Sequence, residues 1–359
     1  MDGKQAETPE APAGALVTGP GATGGKVTLG EVAALAGVSR AAASLALRGK
    51  PGVADGTRQR ILDIAESLGY RVRPIGGAQG GSGTVGLLVK ARPADVGSTN
   101  AFYAPVIAGI SRACAEFDLD LRLDSLVVDE HFDPVEVPRL IQSGDVDGLI
   151  ILGAYLSATT ATLVGAQPVV LVDGYAEEGT ELPSVVSDNV GGTARATRHL
   201  IDLGHRRIAV VGTLPDSFPS ILDRRRGYTA AMTQAGLQPR YLDAPHDDPP
   251  QSVRLVAEAL SAPGAPTALV AANDAVALTL LAQSGLAVPG RVSIVGFDDI
   301  EAAGLVRPRV TTVAIDKQAM GRMAVSLLRH RIAHPGDAAF TQIQHARLVV
   351  RESTAPPTS

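Results

Sequence analysis

At 359 residues the chain exceeds what one ordinary hydrophobic core serves, so two or three domains are expected. Hydrophobic residues make up 45% of it but form no run long enough to cross a bilayer, and the lone cysteine, Cys114, excludes an intrachain disulfide. The formal net charge of −5 excludes nucleic-acid binding over the whole surface and confines it to a local basic segment. Residues 1–25, rich in Gly, Ala, Pro and Thr, cannot bury a core and are expected to be disordered. No basic-then-apolar signal begins the chain, so the expected compartment is the cytoplasm.

Residues 26–73 read as three short helices. Thr28 and Glu31 have capping-box spacing. Val32, Leu35 and Ala36 then share one apolar face, and Gly37 stops the helix in the left-handed conformation. Ser39 caps a second helix whose Leu45 and Leu47 are expected to face the core. Helix, Gly-containing turn, helix is the helix-turn-helix pattern, although a plain helical hairpin shares it. A third helix follows over 57–70, with Ile61, Ile64, Ala65 and Leu68 on one stripe and Gly69 as its stop. Lys26, Arg40, Arg48, Lys50, Arg58, Arg60, Arg71 and Arg73 face only Glu31, Asp55, Asp63 and Glu66, eight bases against four acids. Such a basic head on an acidic body suits phosphate binding at one end.

The second helix can enter a DNA major groove, led by its N-terminal residues. There Arg40 can hold guanine O6 and N7, Ala41 and Ala42 can touch a thymine methyl, and Ser39 and Ser44 can bond phosphate. The alternative for Arg40 is a solvated surface side chain. Thr28 and Arg48 complete the candidates within the helices, and Arg71 and Arg73 can reach phosphates or the minor groove beyond them.

Residues 74–83 have flexible-linker composition. From Thr84 short apolar runs alternate with helical stretches. Strands are expected at 85–89, 119–123, 148–152, 169–172, 208–211, 268–271 and 292–296, with helices at 106–116, 137–143, 191–203, 223–235, 251–260 and 274–284. Continuous Val/Ile/Leu strands between helices imply doubly wound parallel sheets in two lobes, with a ligand crevice at the strands' carboxyl ends.

The order Thr28-Leu-x-x-Val-Ala-x-x-Ala-Gly-Val-Ser-x-x-x-x-Ser44, followed by a Thr57-Arg-x-x-Ile helix ending in Leu68-Gly-Tyr70, resembles the headpiece of LacI/GalR bacterial transcription repressors. The resemblance continues through Asn100-x-Phe102-Tyr103, Val146-Asp-Gly, Val186-Ser-Asp188-Asn189, Gly204-His-Arg-Arg207, Ala272-Asn-Asp274, Val295-Gly-Phe-Asp-Asp299 and Arg351-Glu-Ser-Thr354. It implies a helix-turn-helix headpiece (26–73), a hinge (74–83) and a periplasmic-binding-protein-like α/β core. The core's first lobe would comprise 84–187 plus 315–341, and its second 188–314 plus 342–356. Crossings between the lobes would fall near Val185–Asp188, Thr311–Ala314 and Gln342–Ala346, with the helix from Asp316 to His330 in the first lobe.

The chain departs from the family pattern in four places. Ala42-Ala43 stands where Thr-Val is usual, and Arg48 where Asn is frequent. The hinge lacks the leucine that wedges into the minor groove; Ile75 is its weak substitute, and glycine disfavours a hinge helix by about 1 kcal/mol per residue. Ile315 replaces a polar contact of some relatives.

Matching positions imply an effector site of Phe102, Tyr103, Asp173, Arg224, Asn273, Phe297 and Asp298. An amide, two carboxylates and a guanidinium converging on a crevice suit the hydroxyls of a polar metabolite. Phe218 is a further aromatic near a strand end. Structural alternatives stand beside these roles: Asp188, Asp274 and Asp299 as helix caps, Arg224 as an ion-pair residue. His205-Arg206-Arg207 reads as a basic cluster at a helix C-terminus, and the histidines have no metal spacing. No nucleophile–base pair or phosphate loop is present, so neither enzyme chemistry nor a cofactor is expected.

The expected function is a homodimeric, DNA-binding transcriptional repressor on a pseudo-palindromic operator, modulated by a small metabolite. A sugar-like effector comes first, a nucleoside or purine second. The alternative is a two-lobe sensor whose DNA coupling has decayed.

Overall fold

The computed structural model describes residues 28–47, 52–68, 70, 83–92, 101–129, 131–165, 167–246, 248–283 and 285–358. The tail at 1–25, Arg48, Arg71, Arg73 and the hinge as far as Ser82, Ile75 included, lie outside them. The chain divides into two units, Met1–Val72 and Arg73–Ser359.

The first unit holds α1 (Leu29–Ala36), α2 (Arg40–Leu47) and α3 (Asp55–Ser67). The capping box forms: the Thr28 N–H donates to the Glu31 carboxylate (2.7 Å) and the Glu31 N–H to Thr28 Oγ1 (3.3 Å). Gly37 ends α1 at φ 66°. The core is Leu29, Val32, Ala33, Ala36, Ala43, Ala46, Ile61 and Ala65. Two expectations fail here. Leu35 is 63% exposed, because α1 turns the adjacent stripe Leu29-Val32-Ala33-Ala36 inward. On α2 the small Ala43 and Ala46 are buried instead of the leucines, of which Leu47 is only half-buried against the cluster.

The second unit is a two-lobe α/β core. Its first lobe runs β1 (Thr84–Ala91), α4 (Tyr103–Glu116), β2 (Asp120–Val127), α5 (Arg139–Ser143), β3 (Gly148–Leu152), β4 (Tyr155–Leu156), α6 (Ala158–Val164), β5 (Val169–Val172), β6 (Tyr175–Ala176) and β7 (Ser184–Ser187). Its second runs α7 (Asn189–Asp202), β8 (Ile208–Val211), α8 (Pro219–Gln234), β9 (Tyr241–Leu242), α9 (Pro249–Ser261), β10 (Ala268–Ala271), α10 (Asp274–Gln283), β11 (Ser293–Asp298), α11 (Glu301–Leu305) and β12 (Thr311–Ala314). Then come α12 (Lys317–Ala333), β13 (Thr341–Gln344) and β14 (Arg347–Val349).

The strand orders are β13-β7-β5-β3-β1-β2 and β14-β12-β11-β10-β8-β9. All pairings in these sheets are parallel except that of β14 with β12. The chain therefore passes between sheets after β7, after β12 and after β13. Because β13 pairs with β7, residues 342–344 lie in the first sheet, not in the second lobe to which they were assigned.

Helix α12 packs against α4 backbone to backbone. A Cβ on Gly109 would lie 2.2 Å from the Gln318 carbonyl oxygen, and one on Gly321 2.2 Å from that of Val106. Only glycine permits that approach. Helices α8 and α9 start at Pro219 and Pro249, earlier than their apolar periodicity suggests, because proline suits a first helical turn.

His205 is 1% exposed, not part of a solvated basic cluster. Its Nε2–H donates to the Ala355 carbonyl (2.9 Å), its Nδ1 lies 2.8 Å from Thr267 Oγ1, and burial lowers its pKa. The Arg206 side chain bonds a carbonyl of the preceding helix, that of Ile201 (3.0 Å). Among the described residues no helix is long and apolar enough to cross a membrane.

Candidate functional site

The headpiece offers the start of α2. The Ala42 N–H donates to Ser39 Oγ (3.2 Å), which fixes the helix end that carries Arg40, Ala41 and Ala42. Ser39 and Arg40 are exposed; Ala42 and Ser44 are half-buried. The Arg40 guanidinium folds over Gly30, its Nη2 2.7 Å from where a Cβ there would sit. Thr28 uses its hydroxyl in the α1 cap, including a bond to the Glu31 carboxylate (3.1 Å). Arg58 holds the second helix to the third through the Ala46 carbonyl (3.0 Å) and is thus structural.

The core offers a cleft of about 330 Å³ at the carboxyl ends of strands from both lobes. Six of the seven expected effector residues line it: Phe102 and Tyr103 at the start of α4, Asp173 after β5, Arg224 on α8, Asn273 after β10, and Asp298 at the end of β11. The seventh, Phe297, does not. Alternate positions of a strand face opposite sides, so Phe297 is 2% exposed within the core. Its ring instead supports the Arg224 guanidinium, 3.8 Å from the ring centroid.

Arg224 is held on three sides. Its Nε donates to Asn189 Oδ1 (3.0 Å), Nη1 to the Ala272 carbonyl (2.6 Å) and Nη2 to Asp298 Oδ1 (3.0 Å). The ion-pair role and the cleft position therefore coincide in one side chain. Asn273 caps α10 through the Val276 N–H (2.9 Å), the role first given to Asp274. Asp274 instead accepts the Thr312 hydroxyl (2.6 Å) and the Ile300 N–H (2.9 Å), and burial pushes it up to about 7. Asp299 is no cap either; it pairs with Arg351 (2.6 Å). Asp188 does cap its helix, through the Gly191 N–H (2.8 Å).

Asp173 is 7% exposed and lies at φ 45°. Burial pushes its carboxyl up to about 7, with Arg224 and Lys90 pulling against the shift and Asp298 adding to it. It shares a hydrogen bond with the Tyr103 hydroxyl, which burial holds well above the usual phenol range. Its buried Oδ1 has no hydrogen-bond partner.

Lys90, Ser220, Ile221 and His246 also line the cleft and were not foreseen. A charge ending the apolar strand β1 was a readable sign for Lys90. Ser220 and Ile221 lie in the first turn of α8 that the periodicity missed. His246 stands in a loop with no signal. Phe218 meets Tyr175 edge-on (5.5 Å) and Phe132 (5.8 Å), with the Lys90 ammonium 4.7 Å from its ring.

Residues 28–72 match the family of bacterial regulatory proteins of the lacI type, and residues 197–354 match a periplasmic binding protein-like domain. The ribose operon repressor of Escherichia coli K12 is 31% identical over 320 residues, 86% of this chain and 94% of that one. Catabolite control protein A of Priestia megaterium is 30% identical over 342 residues, 91% and 99% of the two chains. A solved LacI family transcriptional regulator from Enterococcus faecium with bound ribose superposes with a TM-score of 0.65 at 26% identity, covering 77% of this chain and all of that one.

Proposed function

The chain belongs to the lacI family of bacterial regulatory proteins, and from that premise we propose that it represses transcription at a pseudo-palindromic operator under the control of a pentose-sized sugar held in the core cleft. It is a DNA-binding regulator, not an enzyme. Two headpieces of a homodimer meet the two half-sites, so the symmetry of the operator mirrors that of the protein. Arg40 reads a base edge, Ala41 and Ala42 pack on the groove, and Ser39 and Ser44 hold phosphate, with Thr28, Arg48, Arg71 and Arg73 as further contacts. The protein works in the cytoplasm and sits on the nucleoid when bound.

One observation carries the effector reading: the buried Asp173 Oδ1 in the cleft wall lacks a donor. An unmet buried acceptor costs about 1–3 kcal/mol, which a ligand hydroxyl would recover. A cleft of about 330 Å³ suits a single sugar ring, and Phe102 with Tyr103 provides its apolar wall. Arg224, Asp298 and the Nδ2 end of Asn273 supply the remaining polar contacts.

A thermal-shift screen against pentoses, hexoses, sugar phosphates, nucleosides and purine bases tests this. A ligand at 100 times its Kd adds about 2.7 kcal/mol of stability. A pentose hit is expected; a melt that no sugar shifts overturns the reading.

The same ligand should bind about tenfold more tightly at pH 8 than at pH 6, because its hydroxyl favours the ionised form of a carboxyl whose pKa is about 7. The ligand-free protein runs the other way. A folded-state pKa raised above the unfolded value gives stability that is complete below about 4 and is lost as pH rises through about 7. Affinity that is flat between pH 6 and pH 8 would remove Asp173 from the contact.

A further inference from the structure

Two consecutive non-glycine residues where β11 ends hold positive φ, Asp298 at 107° and Asp299 at 51°. Such backbone persists only where its surroundings over-determine it. Three bonds around the turn come from the second lobe itself. Arg351 holds the Asp299 carboxylate (2.6 Å), Thr312 Oγ1 accepts the Asp299 N–H (3.4 Å), and Asp274 accepts the Ile300 N–H (2.9 Å).

The fourth support comes from the other lobe. Lys317 is the first residue of α12, which packs on α4, and it is 9% exposed. Its ammonium donates to the Asp298 carbonyl and to the Asp299 carbonyl (3.1 Å), and lies 5.8 Å from the centroid of the Phe102 ring. It thus spans from an aromatic wall of the cleft in one lobe to the backbone of the turn in the other.

We infer that Lys317 is the positioning residue of the effector clamp. It ties down both carbonyls of the strained turn, and this aims the Asp298 carboxylate at Arg224 and the cleft. Because the tie crosses the lobe boundary, the clamp keeps its geometry only while the two lobes keep Lys317 within reach. Asp298 is then correctly placed in one lobe arrangement and released in another. The effector role of the clamp rests on the sugar reading above; the hold on the turn does not.

Lys317→Met keeps most of the length of the side chain and removes its donors. Amide hydrogen exchange of the ligand-free protein, read on the peptide containing Asp299 and Ile300, should speed up at least tenfold. Exchange in β8 and β10 should stay unchanged. If the parent protein binds D-ribose, calorimetry should show the variant binding it at least tenfold more weakly. Lys317→Gln, which keeps an N–H donor group on a shorter, uncharged side chain, should fall between the two, and it is read on the same terms if the Met variant does not melt cooperatively. Unchanged exchange at the turn overturns the inference. So does faster exchange spread evenly over the lobe, the mark of a merely structural lysine, and so does a loosened turn with undiminished ribose affinity. A parent protein that binds no ribose sinks the sugar reading instead, and leaves the exchange comparison to decide the role of Lys317.

Discussion

Arg224→Ala is expected to weaken effector binding by about 10-fold to 100-fold, since a hydrogen bond to a charged group is worth about 1.5–3 kcal/mol. The guanidinium has three protein acceptors, and its partner Asp298 is 9% exposed. Removing it leaves a carboxylate, an amide oxygen and a carbonyl buried without their donor. Burial already raises the Asp298 pKa against the opposing pull of Arg224, so loss of the guanidinium pushes it further in the same direction. Stability should drop as well, by about 3–5 kcal/mol for an uncompensated buried charge. The double variant Arg224→Met with Asp298→Asn separates the two effects. It should regain much of the stability, because no charge is stranded, and none of the affinity. Calorimetric titration and denaturant melts of both variants read this. Recovery of affinity in the double variant would show that Arg224 only braces the fold.

Ile61→Ala is expected to abolish operator binding while leaving effector binding intact. Five of the eight buried residues in the headpiece core are alanines, and Ile61 is the largest of the eight that is fully buried. Emptying that position costs about 2–5 kcal/mol. At roughly 0.05–0.15 kcal/mol per residue, the 45 residues matched to the lacI family model carry only about 2–7 kcal/mol of stability. The headpiece would be largely unfolded, whereas the core has its own hydrophobic clusters. Anisotropy with operator DNA, beside an effector titration of the same sample, checks both halves. Undiminished operator binding would mean that the three-helix core does not hold the α2 surface in place.

Both variants act on features that were legible to different degrees. The capping box and the Ile61–Ala65 stripe of the headpiece follow from local spacing, and the structure has them. The inward face of α1 does not follow, because 32/35/36 and 29/32/33/36 are overlapping stripes. The position of α2 and α3 picks between them. On α2 close packing selects alanine over leucine, which hydrophobicity alone ranks the other way.

In the core, Asp173 and Asp298 were readable because a polar residue that ends a continuous apolar parallel strand points at the crevice. Phe297 shares that strand end, but pleating turns it to the opposite face. Lys317 was invisible, since its partners are two carbonyls brought to it by a chain crossing. The same holds for Asp274 and Asn273, where strand end and helix start are adjacent residues and only geometry says which one caps.

The most direct measurement of the whole account is operator affinity with and without effector. A duplex enriched by the protein from a random pool should be pseudo-palindromic. Its affinity should change at least about tenfold when D-ribose saturates the cleft, a coupling of about 1.4 kcal/mol within the usual allosteric range. The duplex must in turn change ribose affinity by the same factor, and Arg224→Ala should erase the response. Enrichment of no palindrome, or equal operator affinity with the cleft empty and filled, would contradict it.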